Sequence, residues 1–448
     1  MKTMHDTHLK SEKGSALIAV LFFVIFLAAM AGSLLDIALQ EFKLSKRSLA
    51  WNQAIYSAET GVEYGWNELN RLTGINTNGA FMAGWNGPYS NSTWTLSSTS
   101  LVALAGTDAT STLVATVITN SPAGGMTIMA SGTASSPIMA STVTRNVKAV
   151  LDPVRAFNYA ILCRNDINFN ANSARVDSWN SNNGAYDGTH AYSNGHTDGY
   201  RAHGNVGTNG LVNNTGGLDL YGSPSTGPGG AWTGASPIQP VAPDTGTNYW
   251  TSDTRVSIPD ASLPRSPAFS SSPTTYASTP AAITAAGDYV MPAIASGMTF
   301  GDASGAGGVI RVHVTGGIDL GGNNTISIIQ PSSGATTYRV ELYVDGPTIK
   351  FYGTEDCNAT SDAKCSNLQI YGLPTCTSVI FSGNCETHAA LYAPSANVEV
   401  NGGGNKAFYG SMVGKTFTAH GGIDIHYDEA LGNQGLVTGY SLAQWIEY

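Results

Sequence analysis

The run from Ala16 to Leu35, ALIAVLFFVIFLAAMAGSLL, carries no charged residue and is interrupted only by Gly32 and Ser33. About twenty apolar residues in helical form cross the hydrocarbon core of a bilayer, so any fold of this chain must give the segment an apolar environment. A secretory signal has a shorter apolar stretch, ~7–15 residues, with a small-residue cleavage site on its far side. Here the far side continues as SLLDIALQEFKLSKRSLAWNQAIYSAETGVEYGWNELNRL, free of proline, with Ile55, Val62, Trp66 and Leu69 at spacings of seven, four and three. That period is an amphipathic helix. A helix from Ser15 to about residue 73 would be about 85 Å long at ~1.5 Å per residue. Thr73, Gly74 and the Asn-Gly pairs that follow end it. Lys2, Lys10 and Lys13 precede the apolar run and Lys43, Lys46 and Arg47 follow it, so charge does not fix an orientation across a membrane.

Beyond the helix the chain is poor in charge and rich in turn formers. Charged residues are 12% of the 448, against roughly 25% in an average globular protein. The net charge of −10 excludes a phosphate-neutralising surface, and with it nucleic-acid binding. Residues 74–155 alternate turns with short β-branched runs, TWTLSS, STLVATVIT, MTIMASG and TVTRNVKAVL, which predicts a small β subdomain packed on the second half of the helix, or else a β-hairpin stalk. From 156 to 435 the apolar–polar alternations are punctuated by Gly and Asn, and GGIDLGG and GGIDIHY are near-copies about a hundred residues apart. This pattern predicts a larger β domain, an irregular parallel β-solenoid, with a Greek-key sandwich as the alternative. The fold class expected is therefore α+β. Residues 222–297 break the pattern, with eleven prolines between Gly222 and Pro292, and are expected as an excursion that leaves the solenoid and rejoins it. Residues 436–448 are left as a C-terminal tail.

Four of the five cysteines, Cys357, Cys365, Cys376 and Cys385, are separated by seven, ten and eight residues, which is not a zinc-knuckle spacing. In an exported protein they predict two local disulfides, with Cys357–Cys365 and Cys376–Cys385 as one of three pairings. Cys163 is left over.

Lys13-Gly14 set against the apolar run, which continues into an amphipathic helix, resembles a class III prepilin. The resemblance implies that residues 1–14 are a leader and that a membrane peptidase cleaves between Gly14 and Ser15. The helix is then kept, with its new terminus methylated. Ala54, Ala58, Glu59 and Gly61 resemble the A-x-x-A-E-x-G stretch of the PilX group of minor pilins, with one more residue between the two alanines. Two departures stand out. The mature chain would begin with Ser15 rather than an aromatic residue, and Ala19 stands where major pilins carry a glutamate. An acid in lipid persists only where it has a partner, so its lack points to a minor component rather than a repeating shaft subunit. At the other end, Tyr392, Ala393, Pro394, Ala396, Val398, Gly410, Gly414, Lys415, His426, Tyr427, Asp428 and Leu431 resemble a motif found behind PilX-type N-termini in large bacterial surface proteins.

The resemblance implies a non-enzymatic filament component. It would sit as a single span in the inner membrane, against lipid, and then pass to an extracellular filament or cell surface. There the face carrying Ala16, Leu17, Ala19, Phe22 and Leu35 would pack on other pilins or minor pilins. Prepilin peptidase is a further implied partner. An uncleaved, anchored adhesin with a surface or glycan ligand is the alternative, and a β-helix polysaccharide enzyme is a third reading.

Two clusters could carry chemistry. Asp187, His190, His196, Asp198 and His203 combine imidazoles with carboxylates, as a transition-metal site would, although solvated loop histidines look the same. Asp424, His426 and Asp428 project to one face of a strand by alternation, a row that could orient an imidazole for acid–base work or could cap the β stack by hydrogen bonds. Asp319, Asp345 and Asp356 form no carboxylate pair. No phosphate-binding glycine loop occurs, and no cofactor is expected.

Overall fold

The structure is a computed structural model and describes residues 12–72, 85–86, 93–97, 110–120, 125–135, 142–171, 173–193, 195–234, 251–252, 256–264, 268–332, 336–353, 356–358, 364–402, 407–433 and 437–448. Most of the expected leader lies outside them. The chain is α+β: one long helix, α1 (Glu12–Leu72), is followed by strands. It divides into two compact units. One holds α1 through Asn67, the strands up to Leu151 and the chain end from Leu442; the other holds Asp152–Ser441.

In the first unit α1 has two faces of opposite character. Every side chain from Ala16 to Ser45 is exposed, including Phe22 at 68% and Leu35 at 63%. From Ala50 onward one stripe is fully buried, through Ala54, Ala58 and Val62. The sheet beside it runs in the order Trp85–Asn86, Trp94–Ser97, Thr110–Asn120, Met126–Ser135, Val143–Arg155 and Val437–Glu447. Its first five strands pair antiparallel. The segment expected as a tail is thus an edge strand, tied by two backbone hydrogen bonds between Asn146 and Tyr448. The small residues of the stretch from Ala54 to Gly61 now have a physical reason. A Cβ on Gly61 would lie 2.5 Å from Leu113, and one on Gly132 would lie 2.2 Å from the Ala54 carbonyl. Helix and sheet approach too closely there for any side chain.

The second unit is built on a sheet of 23 strands in which every strand-to-strand pairing is parallel. Among the described residues no pair in it is antiparallel, as a Greek key would require, even where consecutive strands pair. Each pairs with a strand one turn of chain later, so the sheet climbs level by level. One register row reads Thr274, Tyr289, Val312, Leu342, Ile370, Leu391, Met412, Ile161, Val206 and Pro224. A second reads Ile318, Ile349, Val379, Val398, Phe417, Ile167, Val212 and Trp232. These rows are apolar because alternation sends every second side chain inward, where the buried core lies.

The order of those rows is not the order of the chain. Ile161–Cys163 pairs on one side with Val206–Thr208, which follows it, and on the other with Ala407–His420, near the end of the unit. The chain enters partway along its own stack and climbs to Trp232–Gly234. It then crosses to the far edge at Thr274–Thr275 and climbs back to meet its first level.

The excursion expected at 222–297 is narrower in the structure, because Pro224–Ser225, Trp232–Gly234, Thr274–Thr275, Ala282–Ile283 and Gly287–Met291 are strands of the sheet. Residues 256–264 and 268–270 run along the outside of it. Val256 exchanges two hydrogen bonds with the Asn209 side chain. The Ile258 carbonyl accepts from Arg164, and the Pro259 carbonyl accepts from Tyr392 at 2.6 Å. Asp260 pairs with Arg164 at 2.7 Å and Ser395 at 3.0 Å. Further on, Arg311 donates to the Ala268 carbonyl, and Ser270 N–H donates to Asp288. Ile258 and Ala261 thereby cover an outer aromatic row, Tyr343, Tyr371 and Tyr392, and make a second buried core outside the strands. Pro259 and Pro264 suit residues 256–264, which form no strand and have no ladder to donate to.

All five cysteines lie within the described residues, and no disulfide joins the expected pairs. The parallel winding explains the difference. Cys357 occupies an inward row between Ile326 and Thr387, whereas Cys365 is buried in the outer core. Cys376 belongs to the inner core, against whose edge Cys385 packs. Burial pushes the Cys376 thiol up to about 11 and the Cys163 thiol higher still, which keeps them protonated and unreactive.

Candidate functional site

The densest polar cluster forms where the last level meets the first. Ile423–Asp428 lies parallel to Ala174–Trp179, with His426 opposite Asp177. Alternation puts both side chains outside the inner core, yet Asp177 is fully buried and His426 is only 4% exposed. His426 Nδ1 and Asp177 Oδ1 are 2.6 Å apart. The other Asp177 oxygen accepts from Tyr186 OH at 2.6 Å, and Arg175 forms an ion pair with it, Nε at 2.8 Å. Two hydrogen-bonding partners and one ion pair on a single carboxylate offset what would otherwise be a costly buried charge.

Rings close the cluster. Tyr186 stacks on His426 at 4.0 Å, and Tyr409 packs edge-on against both Trp179 and Tyr186. His388 continues the row beyond Tyr409, stacked on it at 4.2 Å and bonded to Glu386 at 3.0 Å. Burial, then the Asp177 charge, pushes the Tyr186 hydroxyl far above its ordinary value, so it stays a donor.

The residues after His426 bind the same neighbour. Tyr427 OH donates to the Phe157 carbonyl at 2.7 Å. Asp428 Oδ1 accepts from the backbone N–H of Ser181 and of Ala430. Burial raises the Asp428 carboxyl, although those N–H groups oppose it. Glu429 takes Ser178 Oγ at 2.9 Å, His203 Nδ1 at 2.9 Å and Arg201 at 3.2 Å. Burial alone would raise Glu429. The His203 and Ser178 hydrogen bonds, with the His203 and Arg201 charges, hold it below the ordinary value instead. Four consecutive residues thus fasten segments whose contacts span 226–270 residues of chain.

The expected carboxylate–His–carboxylate row is split. Asp424 is exposed and stands in register with Arg175, His426 turns to Asp177, and Asp428 turns to backbone donors. Pro394 is buried at the point where the register between Glu386–Gly402 and Ala407–His420 slips, a position where a missing N–H costs nothing. Sequence reasoning missed Asp177 and Arg175, and took Tyr186 only as one of several aromatics that could line a glycan surface. Nothing in RVDSW marks its aspartate until the register sets it opposite IHYD.

The histidine-rich segment divides likewise. His203 belongs to the Glu429 cluster. His190 and His196 come together on the loop that begins at Tyr186, their rings parallel within 3° and 3.8 Å apart. Asp187 Oδ2 lies 2.7 Å from His190 Nδ1, and its other oxygen accepts from Thr189 N–H and Oγ1. Those Thr189 bonds, then the one from His190, hold the Asp187 carboxyl far below its usual range. The loop returns through Gly199–Tyr200, which pairs with Asp187–Ala191.

A family model described as "Domain of unknown function (DUF7305)" matches residues 270–434. No curated protein matches the chain. Among solved structures, the crystal structure of the competence-associated pilin ComZ from Thermus thermophilus aligns over 89% of this chain and 97% of its own, at 11% identity and a TM-score of 0.23.

Proposed function

We propose that the protein is a non-enzymatic, minor-pilin-like component of a type IV pilus or related filament that carries a large β domain to the cell exterior. The observation behind this reading is the division of α1 into an apolar half with every side chain exposed and a half whose small residues pack on an antiparallel sheet. The apolar half holds a window of mean hydropathy 2.7 and is long enough to cross a membrane. Covering each Leu, Ile or Phe there is worth about 1.5–3 kcal/mol, so the segment demands lipid first and neighbouring helices in a filament afterwards.

Ala19 offers those neighbours no carboxylate, which suits a sparse or tip position. Residues 1–14 act as the prepilin leader, and the chain matures at Gly14–Ser15 by prepilin peptidase. The second unit, whose parallel strands climb in register, is an irregular β-solenoid, and its closed aromatic clasp around His426 serves architecture rather than turnover. Mass spectrometry of filaments sheared from cells with an active prepilin peptidase should find the chain beginning at Ser15, at low ratio to the major subunit. A retained Met1 overturns the processing claim. A Gly14→Val variant that reaches the surface unchanged would favour the anchored adhesin instead.

A further inference from the structure

We propose that Asp187, His190 and His196 form a surface site for a late first-row divalent ion of the zinc class. Their donor atoms, one from each side chain, all lie within 4.8 Å of one another. Two imidazoles and one carboxylate are the set such ions take, at about 2.0–2.2 Å per bond, with remaining positions left to water. Tetrahedral coordination at those lengths asks for donors about 3.4 Å apart, so the cluster needs to close by little more than an ångström. Rotating the two stacked rings within their broad χ2 wells turns a nitrogen of each toward a shared point.

Three features besides proximity point the same way. The loop has no apolar core of its own, since His190 is exposed and Asp187 and His196 are only half-buried, so packing does not account for two imidazoles meeting face to face. The carboxylate is oriented in advance by Thr189, whose N–H and Oγ1 both donate to Asp187 Oδ1; such outer contacts fix metal ligands in place. Both stems of the loop are anchored. Tyr186, one residue before Asp187, donates to buried Asp177. On the return stem, Arg201 stacks on Tyr192 at 3.7 Å and pairs with Glu429. The ligands therefore ride on a held frame rather than a free loop.

The test is a zinc chloride titration of the full-length protein in detergent, followed by calorimetry. One ion per chain is expected at this site. His190→Ala, His196→Ala and Asp187→Asn should each weaken it by more than the roughly 10–100-fold that loss of an outer-shell partner costs, while His420→Ala, at an exposed histidine elsewhere, should leave it unchanged. A second measurement uses the unaltered chain, so it holds even if a variant fails to fold. Diethyl pyrocarbonate labelling read residue by residue should show zinc protecting His190 and His196 and sparing His420. Binding that survives the His190→Ala/His196→Ala pair overturns the site. So does protection that falls on His5, His8 or His420 instead, or no saturable binding at all.

Discussion

The inside and the outside of the large sheet solve the same problem by different chemistry. Inside, levels are joined by apolar rows such as Val312, Leu342, Ile370 and Leu391, in which each residue needs only to be apolar and roughly the right size. Outside, at the junction of the last and first levels, the joint is a set of specific pairs: His426 to Asp177, Glu429 to Arg201 and His203, Tyr427 to the Phe157 carbonyl. Apolar rows permit any parallel neighbour. Directional pairs permit one. The outer cluster therefore selects which level docks on which, while the inner rows supply most of the burial.

The contrast is sharpest at Asp177. Asp177→Ala leaves Arg175, His426 and Tyr186 without their shared acceptor, and loss of one partner in a buried ionic cluster costs about 3–5 kcal/mol. Denaturant unfolding should show a drop of that order. A loss near zero would mean that the inner rows alone hold the junction.

Glu429→Gln should act more mildly and with a pH signature. The Glu429 carboxyl is lowered in the folded state, so its contribution is present above the ordinary value of 4.5 and fades as pH falls below it. The variant should lose about 1–3 kcal/mol at pH 7, and the gap from the parent should narrow in acid. Asp428 runs the other way. Its raised carboxyl favours the folded state below 3.8, an advantage lost as pH rises through the folded value. A gap that stays constant down to pH 3 would remove Glu429 from the charge network. The smallest effect belongs to Tyr392→Phe, which deletes the hydrogen bond to Pro259 but keeps the ring. A cost of about 0.5–1.5 kcal/mol is expected, with proteolysis near residue 259 as the readout of a loosened crossing.

The same comparison explains what could be read from sequence. The inner rows follow from alternation, so the β-rich character of the chain after α1 was legible in local pattern. So was the division of α1, because period and hydropathy are local too. Strands such as Pro224–Ser225, Trp232–Gly234 and Gly287–Met291, however, lie inside the expected excursion and were missed. The outer cluster was half legible. His426, Tyr427 and Asp428 stood out as a motif, but their partners Asp177, Phe157 and Ser181 lie at least 247 residues away and carry no mark. Spacing also misled at the cysteines. Eight residues of separation mean a closed loop in an irregular segment, yet between Cys357 and Cys365 they carry the chain from the inner core to the outer one.

The entry of the chain partway along its own stack sets an order of events during synthesis. The level at Ile161–Trp179 emerges early, and its upper neighbour at Val206–Leu220 follows within tens of residues. Its lower neighbour, Ala407–Asp428, is made almost last. Until then the first level presents an open β edge, the kind of surface that pairs with other chains. Closure waits on contacts with some of the longest sequence separations in the molecule, so it should be slow. Loss of the final strands would then damage the first-made level more than many segments nearer to the cut.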